Sequence, residues 1–234
     1  ELLPADRGLA GVSLRALLTM TAGIDFVGGK LGAVSGKDRD TTANPFGPLA
    51  RLHFLGLDDV EAGLTVDAAT VGSFNYQNVN TALLGAVLAR VYDRPLEQLL
   101  GELIWSPALA RPALWRRPGG EPVSADCCLY ATARDWIRVG LYLSRNGTAD
   151  APFLPVPLWR EFMGLDIAPE ARFADNYGAH IRQNVLDRKG ETLLGPFTYL
   201  FGQGGQVLYL MPEHDLVVYR AGDTPQLLHS TLYD

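Results

Sequence analysis

Residues 73–88, Ser-Phe-Asn-Tyr-Gln-Asn-Val-Asn-Thr-Ala-Leu-Leu-Gly-Ala-Val-Leu, set a phenol and a cluster of amides directly ahead of an apolar helix. Tyr76 can pass a proton, and Asn75, Gln77, Asn78 and Asn80 can donate and accept hydrogen bonds around it. The same residues have a purely local use, because Asn is a favoured helix cap whose amide satisfies orphan backbone N–H groups. Taken alone, they leave both uses open. A second candidate is the run Gly202-Gln203-Gly204-Gly205-Gln206 between two extended segments. It is either a turn where backbones approach closely or a strand edge whose bare N–H groups can face a developing oxyanion.

Other chemistries are excluded by what the 234 residues lack. His53, His180, His214 and His229 are scattered, with no metal-ligand or local triad spacing, and are expected as surface or packing residues. Cys127 and Cys128 are adjacent, a spacing that disfavours a mutual disulfide, so two separate packed thiols are expected. No nucleophile elbow, P-loop or dinucleotide fingerprint occurs, so neither a cofactor nor a metal is called for. A net charge of −6 without any basic block argues against nucleic acid. The expected partner is a small molecule. No apolar run reaches the eighteen or so residues of a membrane span, and the first residues lack the positive start of a signal peptide.

The elements that must hold these groups follow from periodicity. Leu14, Leu17 and Leu18 predict a short helix with Ser13 as its cap and Gly23 closing it. Residues 24–50 read as a long irregular segment, and 49–62 as another short helix. Ala82, Leu83, Ala86, Val87 and Val91 form an apolar stripe on a helix that Tyr92-Asp93-Arg94-Pro95 ends. Pro95 starts the next helix, 96–104. Thr132 with Asp135 predicts a capped helix over 133–145, stopped by Asn146-Gly147 and apolar on more than one side. Pro157 opens a short helix to Met163. From Tyr177 onward the period becomes that of strands, over 179–186, 197–201, 206–211 and 215–220, with turn signals at 187–190 and 212–215. The last two strands read as a hairpin, and Thr224-Pro225 as the start of a final helix. The expectation is an α+β fold: a mainly helical region over 1–175 and an antiparallel sheet region over 176–234, together one domain.

Four segments jointly resemble the serine β-lactamase-related and penicillin-recognising hydrolases, nearest their class C-like esterase and 6-aminohexanoate-oligomer hydrolase branch. They are Val12 to Gly23, similar to a helix ending "LLTMTSGL"; Phe74 to Gly85, similar to the Tyr-x-Asn element; Cys127 to Asp135; and Gly202 to Gln206, followed by Tyr209, Pro212 and Leu216 to Val218. The resemblance implies a β-lactamase/transpeptidase-like fold. It also implies a nucleophilic serine and a lysine in a Ser-x-x-Lys turn, a tyrosine relaying the proton, and a strand that completes the pocket. Tyr76 takes the tyrosine's place and Asn78 the asparagine's. Gly202, Gln203 and Gly204 take the oxyanion and substrate-binding side, with the donor N–H at Gln203.

Two departures shape the expectation. Leu200-Phe201-Gly202 stands where the family has Lys-Thr-Gly, which disfavours a substrate carboxylate and a β-lactam and points to an ester or amide. No Ser-x-x-Lys occurs, since Val27, Val34 and Leu186 stand three positions before Lys30, Lys37 and Lys189. The expectation is therefore the C-terminal part of a bacterial serine hydrolase, incomplete at both ends. It would cleave a small ester or amide through an acyl-serine intermediate, with a missing N-terminal segment or a homo-oligomer covering its open faces. The alternatives are a non-catalytic scaffold that binds a ligand or partner, and a cell-wall peptidase acting on D-amino-acid peptides. A periplasmic or secreted location is compatible with the resemblance, and the residues themselves do not specify one.

Overall fold

A computed structural model describes residues 9–25, 47–120, 122–167, 176–184, 187–188, 191–192, 197–202 and 205–222. The chain divides into two compact units, Glu1–Leu99 with Leu114–Tyr130, and Leu100–Ala113 with Ala131–Asp234.

The first unit is mainly helical. It holds α1 (Leu14–Leu18), β1 (Ile24–Asp25), α2 (Pro48–Leu55), α3 (Leu57–Glu61), β2 (Thr65–Val66), α4 (Asn78–Tyr92), α5 (Leu96–Leu100, whose last residue opens the second unit), β3 (Leu114–Trp115) and β4 (Leu129–Tyr130). Ser13 caps α1 by accepting from the Ala16 N–H at 3.1 Å, as its sequence predicts. The helix stops earlier than expected: Met20, not Gly23, takes the first left-handed step after it, at φ 58°. The helix expected over 49–62 is split at Gly56, whose φ of 99° turns the chain between α2 and α3. Leu17, Leu52, Val60, Leu64, Val79 and Leu83 are among the buried residues of this unit's core. On α4 the buried stripe is Val79, Ala82, Leu83 and Val87, at i, i+3, i+4 and i+8; Ala86 and Val91, expected within it, are exposed, Ala86 although its i+7 spacing puts it on the same face. Asp93, at φ 50°, closes the helix where it was expected to end.

The second unit is a five-stranded antiparallel sheet with helices packed on it. Beyond α5 the chain continues as a wide π-turn, Gly101–Trp105, in place of the α-helix expected to residue 104. Then come α6 (Ala133–Ser144), α7 (Val156–Phe162), β5 (Asn176–Gly178), β6 (Ile181–Asn184), a separate small pair β7 (Asp187–Arg188) and β8 (Glu191–Thr192), β9 (Phe197–Phe201), β10 (Val207–Met211) and β11 (Leu216–Arg220). The sheet order is β11-β10-β9-β6-β5. The β10–β11 hairpin has the expected partners, with Val207 opposite Arg220 and Met211 opposite Leu216. β10 is buried at every position, so alternate residues serve two faces: Val207, Tyr209 and Met211 join Phe197 and Tyr199, while Leu208 and Leu210 join Met163 with Trp136, Trp159 and Leu200 against them. Thr132 caps α6 as predicted. That helix is not apolar on several sides: Val139 and Tyr142 are buried while Ile137 is exposed.

Of the strand expected over 179–186, Ile181–Asn184 is β6, Val185 and Leu186 lie outside the described residues, and the start belongs to a tight hairpin with β5. Ala179 and His180 are its turn, both left-handed at φ 50° and 64°, between paired Gly178 and Ile181. Such a turn normally carries Asn-Gly, which is why Ala-His gives no turn signal. Cys127 and Cys128, expected as separate thiols, are joined in a vicinal disulfide where the chain folds back at Cys128 (φ 128°). The turn signal at 187–190 falls partly outside the described residues, and the final helix at Thr224-Pro225 falls wholly outside them.

Gly85 shows how closely the first unit is packed. A Cβ there would collide with the Cβ of Ala125 and come within 3.2 Å of a Leu96 methyl. Gly85→Ala adds about 1 kcal/mol of helix propensity, but Ala125 cannot rotate its Cβ away, and overpacking costs roughly 1–3 kcal/mol. The expected outcome is a lower melting temperature by circular dichroism; a raised one would show that the chain around Ala125 yields freely.

Candidate functional site

Tyr76 is carried on a loop strung along the segment that follows α1. The Asp67 N–H donates to Gly23 O at 2.8 Å, the Gly72 N–H to Thr21 O at 2.9 Å, and the Asn75 N–H to Met20 O at 2.8 Å. Gly23 is required where it stands: φ is +67°, and a Cβ would sit 2.9 Å from Asp67 O and 2.8 Å from a Val71 methyl. The segment 12–23 and the loop 67–75 are therefore one backbone-paired shelf.

At the end of that shelf the side chains sort by direction. Phe74 and Tyr76 are exposed, the phenol at 49%, whereas Gln77 and Asn80 are buried and Asn78 is half-buried. Asn78, the first residue of α4, turns inward to a polar cluster whose partners lie far away in sequence. Its Nδ2 is 3.1 Å from Asp126 Oδ2 and 3.2 Å from His53 Nε2. His53 Nε2 is 2.9 Å from the same Asp126 oxygen, and Ser124 Oγ donates to Asp126 Oδ1 at 2.6 Å. The protons follow from these distances. Nε2 that close to a carboxylate oxygen must carry hydrogen and donate, so it does not accept from Asn78; the Asn78 amide also donates to Asp126, and one carboxylate takes three donors. Asp126 and His53 side chains are 1% and 5% exposed. This is not a Ser–His–Asp relay, because Ser124 bonds the carboxylate rather than the imidazole and is itself buried.

The cluster is braced on both sides. Trp115 Nε1 donates to Ser124 O at 2.8 Å, and the β3–β4 hairpin carries the turn 124–128. Arg116 donates to His53 O and lies 4.7 Å over the Phe54 ring. Burial pushes the Asp126 carboxyl up, but hydrogen bonds from His53, Ser124 and Asn78, with the attraction of the His53 ring, outweigh it and hold the group below the usual aspartate range. His53, Ser124 and Asp126 were missed in the sequence, since 73 positions separate the histidine from the aspartate. The only hint is Ser-Ala-Asp, whose hydroxyl can reach back to its own aspartate two residues on.

In the second unit, the Gly202 N–H donates to Gln206 O at 2.8 Å, and Gly205, at φ +87°, donates to Gly202 O at 3.2 Å. The Gly202 N–H is thus committed to the turn; Gln203 and Gly204 lie outside the described residues. Leu200, at the position compared with the family's lysine, packs in the core with Leu208 and Leu210. Tyr76 and Asn78 share one helix start, and Gly202 belongs to the other unit. Among the described residues no group of His, Cys, Asp or Glu could hold a metal, and no helix is long and apolar enough to cross a membrane.

A family model described as Beta-lactamase matches residues 3–222. Comparison with curated proteins gives no match. Among solved structures, the chain is similar to a Bacillus anthracis protein assigned as a 6-aminohexanoate-dimer hydrolase, with a TM-score of 0.70 and 19% identity over 94% of this chain and 58% of that one. It is similar to a penicillin binding protein from Bacillus halodurans (0.64, 16%, 94% and 72%) and to a D-stereospecific amidohydrolase from Streptomyces sp. (0.61, 18%, 96% and 76%). These likenesses establish a β-lactamase/transpeptidase-like fold. The chain spans somewhat over half of the first of these structures.

The depressed Asp126 carboxyl makes an acid-sensitivity prediction. Its folded value lies below its unfolded one, so the stabilisation is complete above the unfolded value of about 3.9 and is lost as pH falls from there through the folded value. Asp126→Asn should be less stable than the natural protein at neutral pH and should lose this acid step. Urea midpoints measured from pH 7 downward, natural protein minus variant, read it directly; parallel curves would refute it.

Proposed function

The chain belongs to the beta-lactamase family, and we propose that it is the relay-bearing part of a serine hydrolase that cleaves a small amide or ester through an acyl-serine intermediate. One observation carries this: Tyr76 stands exposed immediately ahead of α4 while Asn78, two residues on, is anchored inward. Such a side chain, as a phenolate or as a phenol that hands its own proton to a neighbouring base as it accepts, can take the proton of an attacking hydroxyl and return one to the leaving group. The 6-aminohexanoate-dimer hydrolase and amidohydrolase among the similar structures favour an amide. Leu200 is half-buried against Leu208 and Leu210 and carries no charge, which supports an ester or amide over a substrate with a carboxylate to hold. With the Gly202 N–H committed, Gln203 is proposed as the oxyanion donor.

No Ser-x-x-Lys occurs in the 234 residues, so the nucleophile is proposed to come from sequence outside them. That absence is also what favours the rival, a scaffold that binds without turnover. Full-length protein should be labelled by a fluorophosphonate ester at a Ser-x-x-Lys serine. Tyr76→Phe should slow turnover roughly a hundredfold or more, whereas residues 1–234 alone should not hydrolyse p-nitrophenyl esters. Full-length protein without that motif and without labelling would establish the scaffold instead, and saturable hydrolysis by residues 1–234 would place the nucleophile within them.

A further inference from the structure

The start of α4 lacks the devices that usually hold a helix N-terminus. Its N-cap residue, Gln77, makes no side-chain capping bond, and its first turn contains no acidic residue. A fifteen-residue helix has a positive N-terminal end that favours a nearby anion. Here the anion is Asp126, brought from 48 positions along the chain and bonded to the side chain of the helix's first residue. Gly85 keeps α4 close to Ala125, the residue before that aspartate.

We propose that Asp126 is the positioning residue of the Tyr76 element: by accepting from Asn78 on the oxygen that also accepts from His53, it pins the first turn of α4 and so fixes where Tyr76 is presented. This rests on the relay role proposed for Tyr76. His53 and Ser124 serve it in turn, His53 by fixing the shared oxygen and Ser124 by holding the other. Asp126 touches no reacting atom and acts through Asn78.

The geometry makes the conservative variant informative. In Asp126→Asn the remaining carbonyl oxygen can accept from both His53 and Asn78, while the Ser124 hydroxyl rotates to accept from the new amide. Position is kept and only charge is lost. Asp126→Ala removes every acceptor. In full-length protein, Asp126→Ala should speed amide exchange of residues 73–84 by about tenfold or more and lower kcat by about tenfold or more, with KM within about twofold. Asp126→Asn should restore both. Asn78→Ala should match Asp126→Ala, and the double variant should add nothing, as for two residues acting through one bond.

A merely structural aspartate would leave kcat and KM unseparated in Asp126→Ala, or would leave Asp126→Asn as fast-exchanging and slow as Asp126→Ala, and either result would overturn the proposal. So would natural exchange and kcat in Asn78→Ala, a change at a half-buried helix start that decides the matter alone if Asp126→Ala does not fold. If Tyr76→Phe retains full turnover, the relay role fails, and the exchange measurement still decides whether Asp126 positions the element.

Discussion

A buried carboxylate must be answered by donors or it does not stay charged, and that constraint organises the first unit. Asp126 is almost wholly withdrawn from water and remains ionised because three hydrogen bonds meet it. Each donor comes from a different place: α2, the first turn of α4, and the turn that carries Asp126 itself. Loss of the acceptor would strand three donors, so the carboxylate fixes the mutual placement of those elements. The hydrophobic cluster that includes Leu17, Val79 and Leu83 turns one face of α4 inward, and the polar cluster ties the start of that helix to α2 and to the turn 124–128.

The phenol is also supported from its other side, by backbone pairing. Met20, Thr21 and Gly23 offer three carbonyls to the loop 67–75, and the left-handed steps at Met20 and Gly23 shape the segment that offers them. Two short stretches that look unrelated in the sequence are thus one support, with side-chain identity mattering mainly at Gly23. Tyr76 lies between this backbone shelf and the Asp126 cluster, exposed while the residues after it are held. A loop residue acquires a defined position in this way without being buried.

Local signals were legible and distant ones were not. Ser13 and Thr132 cap their helices because a hydroxyl three residues ahead of a backbone N–H is a local geometry. The β10–β11 register follows from alternation across a short turn. What escaped depends on tertiary support: Met20, Ala179 and His180 adopt backbone conformations that their residue types disfavour, so no local propensity could announce them. The π-turn after α5 is invisible for a similar reason, since Gly101 to Trp105 has a helical pattern and differs only in winding. The α+β class was readable from the change of period, whereas the pairing of His53 with Asp126 required the fold. The motif pointed to Tyr76 and Asn78 as candidates but gave no account of what holds them.

The second unit shows why a motif's position and its role separate. At the end of β9, the Gly202 N–H closes a turn onto Gln206 rather than remaining bare. Three residues earlier, Tyr199 faces the aromatic cluster, while Leu200 faces the helices. Burial eases along β9, whose first three residues, Phe197, Thr198 and Tyr199, are buried while Leu200 and Phe201 are half-buried. Leucine at position 200 thus exchanges a charge for apolar packing against Leu208 and Leu210. What β9 can offer to a ligand is therefore confined to its half-buried end, Leu200 and Phe201, because its first three positions are closed in.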